Sequence, residues 1–185
     1  MNKKLFILSA LAIIFVAYSN ISTAQNKSKR NKTVKISCED FLTSPDKYVG
    51  QEVVIEGTAV HVCKHGGKRM FIMGEDPDER IKITTGDEIA AFSEELEGSD
   101  VMVIGVVDEL RIDETYLTNW ENEVMANNPD SEMKIHGGKE GHEHHDDDPD
   151  AELGQINDLR AELKESGKDH LSFYSIIASK YKEKK

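Results

Sequence analysis

A chain of 185 residues with 23 Lys and Arg against 35 Asp and Glu carries a formal charge of −12. Its body is more acidic still, because residues 1–24 hold two lysines and no acid; the other 161 residues carry 21 basic and 35 acidic groups, a charge of −14. Such a body repels polyanions at long range, which argues against nucleic acid or an anionic membrane surface as the main partner. Its length suits one domain with appendages and a self-sufficient core.

Lys3 and Lys4 precede an apolar run from Leu5 to Ala17, and Ser22-Thr23-Ala24 offers small residues where a signal peptidase reads. This pattern predicts a secretory signal peptide over residues 1–24 and a periplasmic or secreted mature protein. The run is shorter than the ~20 residues a spanning helix needs. No cysteine follows it to take a lipid, so no stable membrane anchor is expected. Export would allow Cys38 and Cys63 to pair, closing a loop of about 25 residues worth roughly 3 kcal/mol. A ligand role for Cys63 competes with that pairing.

Residues 25–35 are basic and polar and read as a flexible lead-in. Cys38 to Leu42 predicts a short helical turn capped by Ser37 and stopped by Pro45. From Glu52 to His65, a β-branched run (Val53, Val54, Ile55, Thr58, Val60, Val62) predicts a long strand that can bend at Gly57. Gly66-Gly67 is a two-residue hairpin signal, with Arg69–Met73 as the returning strand and Arg80–Thr84 as a third. Asp87–Leu96 has helical spacing through Ile89, Phe92 and Leu96, ended by Gly98. Val101–Val107, extended by Leu110 and Ile112, is a fourth strand. Thr115–Ala126 and Ala151–Lys164 predict amphipathic helices. Between them lies a loop rich in His and acid, taken as 136–150, which cannot fill a core. His170–Ile177 is predicted as the last strand, with a helix as the alternative.

Strand, strand, strand, helix, strand and a late fifth strand is the element order of a five-stranded OB-fold Greek-key barrel. The phrases Tyr48-Val49-Gly50-Gln51-Glu52-Val53-Val54-Ile55-Glu56-Gly57-Thr58-Ala59 and Ser99-Asp100-Val101-Met102-Val103-Ile104-Gly105-Val106-Val107 resemble exported bacterial OB-fold domains grouped with the tRNA-anticodon-binding-like barrels. The expected class is therefore mainly β. Residues 36–113 supply the first four strands, with the helix between strands three and four. A helical insertion at 114–168 is partly disordered, and 169–182 form the final strand. The resemblance implies a nucleic-acid reader, but the acidic body opposes that activity, and a shared fold does not carry one over.

The segment His61-Val62-Cys63-Lys64-His65-Gly66-Gly67-Lys68-Arg69-Met70 is the most specific candidate site. If Gly66-Gly67 makes the whole turn, His65 lies opposite Lys68, Cys63 opposite Met70 and Val62 opposite Phe71. Strand alternation then places His61, Cys63, His65 and Met70 on one outer face. Imidazole, thiolate and thioether suit copper(I) or zinc. His61 and His65 would stand roughly 13 Å apart along an extended strand, so one ion would use Cys63 and Met70 with one histidine. Haem is the other cofactor candidate, by analogy with an OB-barrel haem chaperone that uses a histidine. The bland alternative is a solvated hairpin face.

Four of the seven histidines, His136, His142, His144 and His145, lie among acids in the predicted loop, which makes that loop a secondary metal candidate. Lys64, Lys68 and Arg69 form the barrel's one basic patch in sequence, a candidate for a nucleotide or oligonucleotide phosphate. No nucleophile elbow, phosphate-binding glycine loop, zincin helix or dinucleotide fingerprint is present. Asp108, Glu109, Asp113 and Glu114 read as solvated acids at a strand end. The expectation is thus a non-catalytic binding protein whose partner is a metal ion or small ligand, with docking of a cell-envelope protein as the alternative. N-terminal sequencing of the protein recovered outside the cytoplasm is expected to begin at Gln25; a retained Met1 would remove the signal-peptide reading.

Overall fold

In a computed structural model, residues 33–126 and 149–184 are described. The expected signal peptide and most of the lead-in lie outside them, as do His136, His142, His144 and His145. Strand β2, Glu52–Val62, is the spine of what remains. Its buried residues Val53, Ile55 and Ala59 alternate with half-buried ones, as a strand covered on one face requires.

β2 pairs antiparallel with β3 (Arg69–Met73), and β3 with β4 (Ile81–Thr85). β4 runs parallel to β6 (Leu171–Glu183), and β6 antiparallel to β5 (Asp100–Ile112). β5 then returns to the other edge of β2, from Glu52↔Val106 to Thr58↔Asp100. The circuit β2–β3–β4–β6–β5–β2 is the closed five-stranded OB barrel expected, and closure leaves its strands no free edge along the shared ladder. Val53, Ile55, Val62, Met70, Ile72, Ile83, Val103 and Ile176 fill its interior with no exposed surface.

A short strand β1, Val34–Ile36, lies parallel to β2, so Val34 and Lys35 are strand where the sequence suggested a flexible lead-in. β1 pairs with residues 53–55 of β2, and β3 takes over from residue 58 on. The change of partner leaves the Glu56 carbonyl between them, and Cys38 Sγ donates to it at 3.3 Å. Cys38 opens helix α1, Cys38–Thr43, whose cap Ser37 accepts from the Asp40 amide at 3.0 Å. Gly57 permits this close approach: a Cβ there would stand 2.5 Å from the Met73 carbonyl oxygen and 3.2 Å from Cys38 Sγ.

The Asp87–Leu96 helix does not form; the segment is an irregular loop with one 3-10 turn, Glu94–Leu96. Ile89, Phe92 and Leu96 are buried all the same. The Phe92 amide donates to the Gly67 carbonyl at 2.8 Å, and Lys68 Nζ donates to the Ala90 carbonyl at 2.8 Å. Backbone groups that a helix would pair internally are instead spent on the β2–β3 turn, so tertiary contact overrides helical spacing.

β5 and β6 outlast the barrel, pairing Asp108–Ile112 with Leu171–Ser175. On this extension sit α2 (Glu114–Met125) and α3 (Pro149–Ser166), close to their expected positions. Asp113 caps α2 by accepting from the Tyr116 amide at 2.8 Å. Ile112, Leu117, Trp120, Ile156 and Leu171 form a second apolar cluster, separate from the barrel interior. Arg160 on α3 donates to Glu114 at 2.8 Å and to Glu121 at 2.9 Å, holding the two helices together. Trp120 is fully buried, and its Nε1 donates to Glu152 at 3.2 Å. Trp120→Ala is expected to cost about 3–5 kcal/mol, measurable as a lower urea midpoint with unchanged slope.

Candidate functional site

The β2–β3 hairpin differs from its expected register by one residue. A bulge between Ala59 and His61 shifts the pairing, and beyond it His61 opposes Phe71 and Val62 opposes Met70. The Cys63 amide donates to the Arg69 carbonyl at 2.9 Å, and the Gly67 amide returns to the Cys63 carbonyl at 3.0 Å. The turn therefore runs from Lys64 to Lys68 and is not confined to Gly66-Gly67. Both glycines adopt left-handed φ, +85° and +61°. A Cβ on Gly67 would approach the Phe92 carbonyl oxygen to 2.5 Å, so the turn's shape is set against the β4–β5 loop.

A one-residue slip turns a side chain to the opposite face of its sheet. Met70 accordingly lies in the barrel core, opposite Val62, with no exposed surface. It does not join the outer face expected to carry His61, Cys63, His65 and Met70. Cys63 is half-buried on the outside, and His61 and His65 are exposed. Among the described residues, no three His, Cys, Asp or Glu side chains are grouped as a metal site.

Cys63 and His61 are each held by neighbouring groups. Arg69 Nη2 donates to Cys63 Sγ at 3.3 Å, and the His65 carbonyl oxygen lies 4.0 Å from the same sulfur. His61 stacks on Phe71 with ring centroids 6.2 Å apart and planes inclined by 24°. Its Nδ1 stands 3.2 Å from Glu97 Oε1, which also accepts from the Val62 amide at 2.8 Å. A carboxylate at Nδ1 directs Nε2 toward any ligand, the orientation that metal-binding histidines share. Glu97 was not legible as part of the site, because it lies 35 residues beyond Val62 and arrives with the β4–β5 loop.

The basic patch is also rearranged. Lys64 is exposed, Lys68 is committed to the Ala90 carbonyl, and Arg69 to Cys63. Lys82 replaces Lys68 on the outer face, opposite Phe71 and beside Arg69 opposite Thr84. Burial pushes its ammonium pKa down, the Arg69 charge adds to that, and Asp108 opposes it. Alternation in Ile81-Lys82-Ile83-Thr84 was the signal that could have identified Lys82.

Cys38 and Cys63 are free thiols. Cys38 contacts the Glu56 carbonyl, whereas Cys63 follows β2 seven residues later, about 20 Å along the strand. That separation far exceeds the reach of a disulfide, roughly 7 Å between Cα atoms. A cleft of about 390 Å³ adjoins Cys38, lined by Gly57, Gly74, Glu56, Asp100 and Lys184 among others. Within it Lys184 and Lys35 reach Glu56 at 2.8 and 3.1 Å, and their hydrogen bonds lower the Glu56 pKa.

No protein-family model matches the chain, and no curated protein does. Among solved structures, a putative aspartyl-tRNA synthetase from Leishmania major Friedlin aligns with 48% of this chain at 18% identity and a TM-score of 0.30. The chain spans only 18% of that protein's length. The OB barrel rests on the strand circuit above and not on this likeness.

Burial, then the neighbouring Glu39 charge, raises the Cys38 thiol from its ordinary 9.0 to about 11. Ionisation of Cys38 therefore opposes folding: its contribution is intact below pH 9 and is lost as the pH climbs through 11. A thiol reagent at pH 8 is expected to modify one cysteine per folded chain, at Cys63, with Cys38 reacting only after unfolding. Equal rates at both, followed by mass spectrometry, would contradict this assignment.

Proposed function

We propose that this chain is an exported, non-catalytic OB-fold protein that handles a transition metal, copper or zinc, at the mouth of the β2–β3 hairpin. Cys63 and His61 are the central ligands in this reading, and His65 supplies a third from the adjoining turn. The observation that carries it is the Glu97 carboxylate against His61 Nδ1, which orients the ring for coordination through Nε2 two residues from an outward-facing thiol. Thiolate with imidazole favours copper(I), or zinc completed by water. The His-rich tract containing His136, His142, His144 and His145 would act as an auxiliary scavenger. Export rests on the signal-like pattern of residues 1–24.

A second reading is favoured by the Arg69–Phe71–Lys82 ladder. Two cations flanking an aromatic ring on the outer face of β3 and β4 suit a nucleotide or a short oligonucleotide, held by phosphate contact and stacking. That reading requires binding that falls steeply with salt and with Phe71→Ala.

Calorimetry with copper(I), buffered by a competing chelator, and with zinc is expected to show near-stoichiometric binding. Cys63→Ala should abolish the tight site. Glu97→Gln, which keeps the shape but removes the charge behind His61, should weaken it by about 10–100-fold. Deleting residues 136–148 should lower only the weaker stoichiometry. Equal tight binding by the wild type and Cys63→Ala would sink the hairpin site.

A further inference from the structure

A strand with one face on the core and the other in water alternates apolar and polar residues. β5 departs from that rule on the side turned away from the barrel. Val101, Val103 and Val107 are its inward residues, while Met102, Ile104 and Val106 point outward. On the same outer face, Val54 of β2 lies directly opposite Ile104, and Ile177 of β6 opposite Val106. Val106 is 41% and Ile177 38% exposed, and the other three are half-buried. None of the five belongs to the barrel cluster or to the cluster under α2 and α3.

The flanks of this apolar spine carry opposite charge. On the β2 side, Glu52 lies opposite Val106 and Glu56 opposite Met102. On the β6 side, Lys180 lies opposite Ile104 and Lys182 opposite Met102. The face is thus acidic along one margin, apolar along the middle and basic along the other. A two-fold axis running along β5 would lay spine on spine and the acidic margin of each copy over the basic margin of its mate. Such self-complementarity is the defining property of an isologous interface.

We infer that the outer face of β2, β5 and β6 is a homodimer interface, occupied by a second copy of this chain. The inference is independent of the hairpin metal site, which lies at the opposite end of β2. Under that axis Glu56 stands level with Lys182 of the mate, while keeping its contacts with Lys35 and Lys184 within the chain, and Glu52 lies two residues along β5 from the level of Lys180.

The test is a charge swap read by analytical ultracentrifugation, at concentrations far above micromolar and moderate salt. The wild type should sediment as a dimer. Lys180→Glu with Lys182→Glu makes both margins acidic; Glu52→Lys with Glu56→Lys makes both basic. Each double variant, shown to be folded by circular dichroism, should sediment as a monomer, and an equimolar mixture of the two should restore the dimer. A monomeric wild type would overturn the proposal, as would a dimer that survives both swaps. Failure of the mixture to reassociate would overturn it equally.

Discussion

Strand β2 hydrogen-bonds along both edges at once, and the change of partner along one of them organises the molecule. Its first half is held between β1 and β5, and its second half opens to β3. At the junction a part-buried carbonyl would be left without a protein partner. Cys38 meets that carbonyl from the first turn of α1, and Gly57 leaves space for it. One cysteine is thereby used up in the architecture, and its raised pKa follows from that burial. The other is left on the outer face, where its chemistry is available.

A few residues beyond this junction, the bulge at Val60 shifts the hairpin by one position. The five-residue turn Lys64–Lys68 sets Met70 opposite Val62 in the core, and the bulge turns His61 outward beside Phe71. That turn is packed against the β4–β5 loop through the Phe92–Gly67 hydrogen bond, and the loop also delivers Glu97 to His61. The hairpin site is consequently a joint product of a bulge, a turn and a distant loop. Its oriented imidazole comes from this combination and not from the His-x-Cys-x-His spacing alone.

Charge is distributed with the same locality. The chain is strongly acidic as a whole, yet Arg69 and Lys82 sit side by side on the outer face of β3 and β4, and Lys180 and Lys182 line β6. At physiological ionic strength, fields beyond roughly 8 Å are screened, so these local patches and not the net charge govern contact recognition. Net charge still sets long-range approach: it repels polyanions strongly and a small anion less, and it attracts a metal cation.

Strand alternation, proline and glycine punctuation and capping residues were enough to read β2 through β6, α1, α2 and α3, and so the barrel class, because each depends on neighbours within a turn or a strand. The Asp87–Leu96 segment shows where that reading stops: its helical spacing is real, but its backbone is claimed by Gly67 and Lys68 across the fold. The same holds for the candidate site. His61 and Cys63 were legible as potential ligands from alternation, whereas the burial of Met70, the arrival of Glu97, the recruitment of Lys82 and the separation of the two cysteines were not. By itself, the sequence determined the elements and the ligand chemistry on offer. Tertiary structure alone decided which of them meet on one face, because the length of the turn, set by its packing against the β4–β5 loop, fixes the register of the returning strand and leaves almost no trace in local periodicity.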